Sequence, residues 1–83
     1  MIELDFFFNL PNGDIRHFQL IQLSRGEFWT VLDHEQVLER IVKEDGKWKT
    51  MLGSSLSEEL IQNIGQFIDR QQYKNLPMEI KLR

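Results

Sequence analysis

Short runs of alternating apolar and polar residues, separated by turns that contain glycine, occupy most of the first 52 positions of the chain. The first run places Ile2, Leu4 and Phe6 on one side of an extended backbone, and Glu3 and Asp5 on the other. A period of two residues is the pattern of a strand with one buried face. The sequence therefore predicts an antiparallel sheet of short strands in its first two thirds.

Turn residues between these runs predict hairpin connections. Asn12-Gly13 and Asp45-Gly46 are dipeptides that accept the positive φ angles of tight hairpin loops. A further turn is expected at 24–26, where the sequence reads Ser-Arg-Gly. We therefore expect a meander in which each strand pairs with the next. The predicted strands lie at about 2–10, 15–23, 27–32, 37–44 and 47–52.

Two of these segments fit the alternation less simply. Within 15–23, Phe18 and Leu20 share one phase while Ile21 and Leu23 share the other, which predicts a bulge near Gln19–Ile21. Residues 33–44 fit a helix by the spacing of their apolar residues, and a strand by the hairpin dipeptide that follows. A strand is favoured there, because the alternating run 47–52 needs a neighbour to pair with.

One amphipathic helix is predicted at about 57–73. Ser57 has the side chain of an N-cap residue, and Glu58 and Glu59 follow it in the first turn, where acids favour the helix dipole. The apolar residues from position 60 to position 68 fall on one face. Gly65 interrupts the helix, which indicates either a close approach to the sheet or simple tolerance of glycine.

Beyond the helix, Met78, Ile80 and Leu82 alternate with charged residues, which predicts an edge strand at about 78–82. This strand is expected to pair with an edge of its own sheet or with a second copy of the chain. The predicted fold is therefore α+β, in one domain spanning 1–83. It combines a meander of about five strands, one helix packed on a sheet face, and the short C-terminal strand.

Composition excludes several classes of protein. The chain has 83 residues, 41% of them hydrophobic, and a net charge of −3, which excludes a disordered chain. Cysteine is absent, so disulfides and thiolate metal sites are excluded. No apolar run approaches the roughly 18–20 residues of a membrane span. The acidic balance does not favour nucleic acid as a partner, and we expect a cytoplasmic protein without a secretory signal.

No pattern of catalytic or metal-binding residues stands out. His17 and His34 are the two histidines, and neither is accompanied by the three or four converging ligands that a metal needs. The acids are scattered over turns and polar strand positions, and the serines lack the context of a nucleophile. The sequence predicts no catalytic residue, metal or cofactor. An enzyme with His17 or His34 as its base remains an alternative.

A small basic cluster offers a second alternative partner. Lys43, Lys47 and Lys49 surround Trp48, a combination that can bind single-stranded nucleic acid. Acidic neighbours at positions 44 and 45 cancel much of this charge. Alternation with the flanking lysines predicts that Trp48 faces the core, where it cannot stack on a base. We therefore expect a solvated hairpin here.

Two aromatic residues indicate a contact surface. Phe7 shares its strand phase with acidic residues, and Trp29 lies opposite the phase of Phe28, Thr30 and Leu32. Large aromatics on a polar sheet face are typical of binding surfaces. The alternatives are that the helix covers this face, or that strand 27–32 presents the opposite face.

The function favoured by the sequence is a small non-enzymatic module that acts by protein–protein contact. We expect it to form a homodimer or to bind another protein. The expected partner-binding residues are Phe7, Trp29, Met78, Ile80 and Leu82. The alternatives are a half-barrel that holds an apolar small molecule between sheet and helix, and the enzyme described above.

Overall fold

The computed structural model describes residues 1–53 and 56–74, and it contains five strands followed by one helix. The elements are β1 Ile2–Asn9, β2 Ile15–Gln22, β3 Trp29–Asp33, β4 Gln36–Glu44, β5 Lys47–Thr50 and α1 Glu58–Lys74. Each strand pairs antiparallel with the next, so the sheet order is β1-β2-β3-β4-β5. The predicted α+β fold of a meander and a helix is confirmed. The predicted edge strand at 78–82 lies outside the described residues.

The hairpin turns are built from residues with positive φ. Asp45 and Gly46 have φ angles of 53° and 79° and join β4 to β5, as the sequence predicts. His34 and Glu35 form the turn between β3 and β4 with φ angles of 51° and 68°. Gly13, with a φ of 95°, ends the loop between β1 and β2. Because β4 occupies most of the ambiguous segment 33–44, the strand interpretation of that segment is confirmed.

The bulge predicted near Gln19–Ile21 is wrong. β1 and β2 pair without interruption, from Ile2 opposite Gln22 to the far end of the hairpin. The irregularity lies instead between β3 and β4, beside Val31. The two apolar phases of β2 exist because both faces of the sheet carry apolar residues: Leu20 is buried on one face and Ile21 lies on the other.

The start of α1 follows the predicted capping pattern. The Ser57 hydroxyl accepts a hydrogen bond from the Leu60 amide at 3.1 Å, and the Ser57 carbonyl accepts one from the Ile61 amide at 3.0 Å. Glu58 and Glu59 occupy the first turn, where their charge favours the helix dipole. Among the described residues, no helix has the length and apolar character needed to cross a bilayer.

α1 covers one face of the sheet, and the core lies between them. Each large apolar side chain buried there contributes about 1.5–3 kcal/mol to folding. The buried members are Phe6, Phe18, Leu20, Trp29, Val31, Ile41, Trp48, Leu60, Ile61, Ile64 and Ile68.

The helix comes closest to the sheet where Gly65 meets the Trp48 ring. A Cβ atom at position 65 would overlap that ring, so only glycine allows this approach. Trp48 is 7% exposed, and its indole N–H donates to Asp69 Oδ2 at 3.3 Å. Gln62 Nε2 donates to the Trp48 carbonyl at 3.1 Å. The prediction that Trp48 faces the core is thus confirmed, and of the two explanations for Gly65 the structure supports the close approach.

Candidate functional site

The sheet face turned away from α1, which we call the open face, carries the strand positions that alternate with the core residues. Phe7 follows buried Phe6, Leu32 follows buried Val31, and the same alternation holds along β2 and along β4 from Glu39 onward. Val37 lies on the same face as Leu32 because the register shift beside Val31 places these two residues opposite each other. Because side chains of successive strand residues point to opposite faces, these neighbours of core residues lie on the open face. No described element of the chain covers this face.

Six residues form an apolar centre on the open face. Phe7 and Ile15 are each 63% exposed and Val37 is 43% exposed, although all three are large hydrophobic residues. Single exposed apolar residues are normal, whereas several large ones on one face of a sheet indicate a candidate interaction surface. The apolar centre consists of Phe7, Ile15, Ile21, Leu32, Val37 and Val42.

Phe7 is held in a fixed arrangement at the β1 edge of this face. It lies directly opposite His17 in the β1–β2 register, and the two rings stack with centroids 4.7 Å apart and an interplanar angle of 19°. His17 Nε2 in turn contacts Asp5 Oδ1 at 2.8 Å. A ring stacked in this way loses little further freedom on binding, which suits a contact residue.

Arg40 lies near the middle of the open face, opposite Thr30. Its guanidinium carbon stands 5.3 Å from the centre of the Phe28 ring, in a cation–π arrangement. Its Nε atom is buried and has no hydrogen-bond partner among the described residues. A cation seated on an aromatic ring is a frequent component of protein interfaces, where arginine and aromatic residues are enriched.

The predicted placement of Trp29 on the same face as Phe7 is wrong. Trp29 is 2% exposed and belongs to the core beneath α1, opposite Ile41. Both phases of β3 contain large apolar residues, so alternation alone could not choose between them. The register decides the matter, because Val31 lies opposite buried Leu20 and therefore turns the odd-numbered positions of β3 toward the helix.

The remaining predicted partner residues, Met78, Ile80 and Leu82, lie outside the described residues. Of the five residues expected to bind a partner, Phe7 is therefore the one that the structure places on the open face. Ile21 and Val42 were missed as surface residues, although they occupy the phase opposite the core. For Ile21 the signal was the second apolar phase of its strand, which was explained by a bulge in β2. For Val42 it was an apolar residue next to Ile41, which was explained by helical spacing.

Glu39 is a buried acid that the sequence analysis did not single out. It is 0% exposed, and its Oε2 accepts hydrogen bonds from the amides of Met51 at 3.1 Å, Leu52 at 2.7 Å and Arg40 at 3.1 Å. Its Oε1 is buried without a partner among the described residues. The contacts fasten the segment after β5 to β4. The burial of Glu39 could have been inferred from its position two residues before Ile41, on the core phase of β4.

The histidines form local contacts. His17 meets Asp5 and Phe7, and His34 Nδ1 lies 2.6 Å from Asp33 Oδ1 in the β3–β4 turn. No group of three or more potential metal ligands occurs in the described ranges 1–53 and 56–74. The enzyme alternative, with either histidine as base, has no further support from these neighbours and stays a prediction.

The space between sheet and helix is occupied by side chains of the core cluster. Two grooves lie at the periphery. One, of about 540 Å³, runs along β5 beside Glu58 and Gln62, and the other, of about 340 Å³, lies at the sheet end near Arg25, Trp29 and Asp69. Neither lies between the sheet centre and α1, where the half-barrel alternative expects its apolar pocket.

Lys43, Lys47 and Lys49 do not gather around one exposed ring. Lys43 Nζ lies 6.0 Å from the centre of the Trp48 ring on the helix side, whereas Lys47 and Lys49 lie on the opposite phase of β5. Lys43 Nζ pairs with Asp69 Oδ1 at 3.1 Å on the helix side of the sheet, while Lys49 Nζ lies 3.4 Å from Glu44 Oε1. Trp48, between them in sequence, is buried against α1 and cannot stack on a base. This geometry gives nucleic acid binding no support.

Comparisons of the chain with protein-family models, with curated proteins and with solved structures find no match.

Proposed function

We propose that the protein is a small non-enzymatic module that acts by protein–protein contact through its open face, and that it associates with itself. The observation that carries this proposal is the apolar centre, in which Phe7 and Ile15 are each 63% exposed on a face that no described element covers. Apolar surface of this kind gains free energy when a partner removes it from water. The cytoplasmic location stays a prediction of the sequence.

The size of the face sets the expected strength of the contact. Five strands at about 4.8 Å spacing, each about 20 Å long, offer roughly 500 Å² per copy. The total of about 1,000 Å² for two copies lies at the low end for specific interfaces. We therefore expect association at micromolar to millimolar concentrations and not an obligate dimer.

The test compares two serine substitutions of similar exposure by sedimentation and by concentration-dependent NMR shifts. Phe7→Ser alters the open face, whereas Leu52→Ser alters a residue that is 51% exposed beyond the end of β5. The wild type is expected to associate with shifts centred on the open face. Phe7→Ser should weaken association about a hundredfold, because the dimer loses two exposed rings, each of which supplies on the order of 1.5 kcal/mol.

Leu52→Ser should associate like the wild type, provided that both variants keep the wild-type fold. A wild type that stays monomeric at millimolar concentration would contradict self-association. Equal effects of the two substitutions would contradict the choice of the open face.

A further inference from the structure

Charge on the open face is divided between the two edges of the sheet. The β1 edge carries Glu3 and Asp5, and the β5 edge carries Lys47 and Lys49. All four are exposed, and they lie on the open-face phase of their strands. Five of the six residues of the apolar centre, on β2, β3 and β4, lie between these two edges, together with Arg40. The face therefore runs from an acidic edge across an apolar middle to a basic edge.

The neighbouring charges reduce this division but do not remove it. Asp5 contacts His17, and Lys49 contacts Glu44, which also lies on the open-face phase. Glu3 and Lys47 form no ion pair within the described part of the chain, although Lys47 lies opposite Glu44 in the β4–β5 register. An acid and a base thus remain unpaired, one at each edge.

A face of this pattern is complementary to itself in one orientation. Two sheets pack face to face about 10 Å apart with their strands within about 30° of each other. A two-fold axis parallel to the strands places β1 of one copy over β5 of the other, so that acids meet bases at both edges. An axis perpendicular to the strands places β1 over β1 and β5 over β5, so that like charges meet.

We propose that the open face docks a second copy of this chain about a two-fold axis parallel to the strands, with the β1 edge over the second copy's β5 edge. This inference rests on the proposed function, and adds to it the identity and orientation of the partner. The axis then runs along β3, midway between the two sheets, so that Leu32 lies near its own counterpart. Arg40, on β4, faces β2 of the second copy and not another Arg40.

Charge-swap variants test the orientation. Glu3→Lys/Asp5→Lys makes both edges basic, and Lys47→Glu/Lys49→Glu makes both edges acidic. The combined fourfold variant restores one acidic and one basic edge and keeps the wild-type net charge of −3. Each variant is first checked for the wild-type fold by NMR, and self-association is then measured by sedimentation at low salt, where charge effects are largest.

The proposed orientation predicts that each double swap weakens self-association at least tenfold and that the fourfold swap restores it to within about threefold of the wild type. Glu3→Lys/Asp5→Lys is the more decisive variant, because it brings the formal net charge from −3 to +1. If only overall repulsion mattered, this variant would associate more tightly than the wild type.

The outcomes separate this inference from the proposed function. Double swaps that leave association unchanged, while Phe7→Ser still weakens it, would overturn the orientation and leave the open face as the binding surface. A fourfold swap that fails to recover association would also overturn the orientation. A wild type without self-association would remove the proposed homodimer itself.

Discussion

Glu39 shows how much of this structure depends on a single polar side chain. A carboxylate that is fully buried gives up its hydration, and here it recovers hydrogen bonds from three backbone amides through one oxygen. Two of those amides, at Met51 and Leu52, belong to the segment that leaves β5 toward α1. The side chain therefore links β4 to the connection that leads to the helix through these hydrogen bonds.

Replacing Glu39 should destabilise the fold. Glu39→Ala leaves the Leu52 amide without its acceptor and opens a cavity, and the two effects should lower the free energy of unfolding by about 2–3 kcal/mol. Chemical denaturation followed by tryptophan fluorescence measures the change. The control is Glu44→Ala on the same strand, where the side chain is 60% exposed and the expected change is within about 0.5 kcal/mol. Equal stability of the two variants would contradict the role of Glu39.

Gly65 provides a second prediction, in which the change in the free energy of unfolding is opposite to the one that helix propensity alone would give. Replacing glycine by alanine inside a helix normally stabilises it by about 1 kcal/mol. At position 65 the added Cβ would overlap the Trp48 ring, and overpacking of this kind costs about 1–3 kcal/mol. We therefore expect Gly65→Ala to lower the free energy of unfolding, as measured in urea.

Two companion variants make this test specific. Gln66→Ala, at an exposed position of the same helix, should leave stability unchanged or raise it slightly. Trp48→Leu should make room for the new methyl group, so that Gly65→Ala costs less in that background than in the wild type. A stabilising Gly65→Ala in the wild-type background would show that the helix can shift away from the ring.

Individual residues also show where sequence reasoning succeeds and where it stops. Trp48 could be assigned to the core because lysines flank it, so that only one phase of β5 is apolar. Trp29 could not, because Val31 and Leu32 make both phases of β3 apolar. Only the register with β2, a contact between residues distant in sequence, selects the buried phase. Periodicity assigns a face when one side of a strand is polar, and fails when both sides are apolar.

At the scale of the elements, the turn between β4 and β5 could be predicted from the sequence, whereas the turn between β3 and β4 could not be predicted as well. Asp45-Gly46 is recognised because glycine accepts positive φ without steric cost. His34 and Glu35 adopt the same kind of turn with φ angles of 51° and 68°, although glutamate does not favour that region and histidine enters it far less readily than glycine. The sequence therefore carries a weaker signal for this turn, and the segment after it remained open between helix and strand.

The cost of that turn leads to a third prediction. A residue other than glycine in the left-handed region costs about 1–2 kcal/mol. Glycine avoids this steric cost, but it raises the conformational entropy of the unfolded chain, which cancels part of the gain in stability. Glu35→Gly should therefore raise the midpoint of urea unfolding, corresponding to about 0.5 kcal/mol, without changing the slope. Asp45→Gly should gain less, because aspartate tolerates this region better. A lower midpoint for Glu35→Gly would show that the Glu35 side chain itself supports the turn.

At the scale of the whole molecule, the meander and the helix follow from local patterns, whereas the open face does not. Strand pairing is between neighbours in sequence throughout the sheet, so turn residues and alternation suffice to predict it. Which face the helix covers depends on how all five strands are registered. The candidate site was therefore predicted only at Phe7, where acidic neighbours mark the face. The other five residues of the apolar centre were missed, namely Ile15, Ile21, Leu32, Val37 and Val42.

Self-association through the open face should make the thermal stability of the protein depend on its concentration. Association of the folded state alone draws the equilibrium away from the unfolded chain, by an amount that grows once the concentration exceeds the dissociation constant. For a weak dimer, raising the concentration from about 10 µM to about 1 mM should raise the melting temperature by about 3–5 °C. Calorimetry of the wild type, Phe7→Ser and Leu52→Ser over this range measures the slope. Phe7→Ser should show a flatter dependence because its ring is part of the surface buried between copies, whereas Leu52→Ser should keep the wild-type slope. A common slope for all three proteins would mean that the open face is not buried on association, whatever the stability of the monomer.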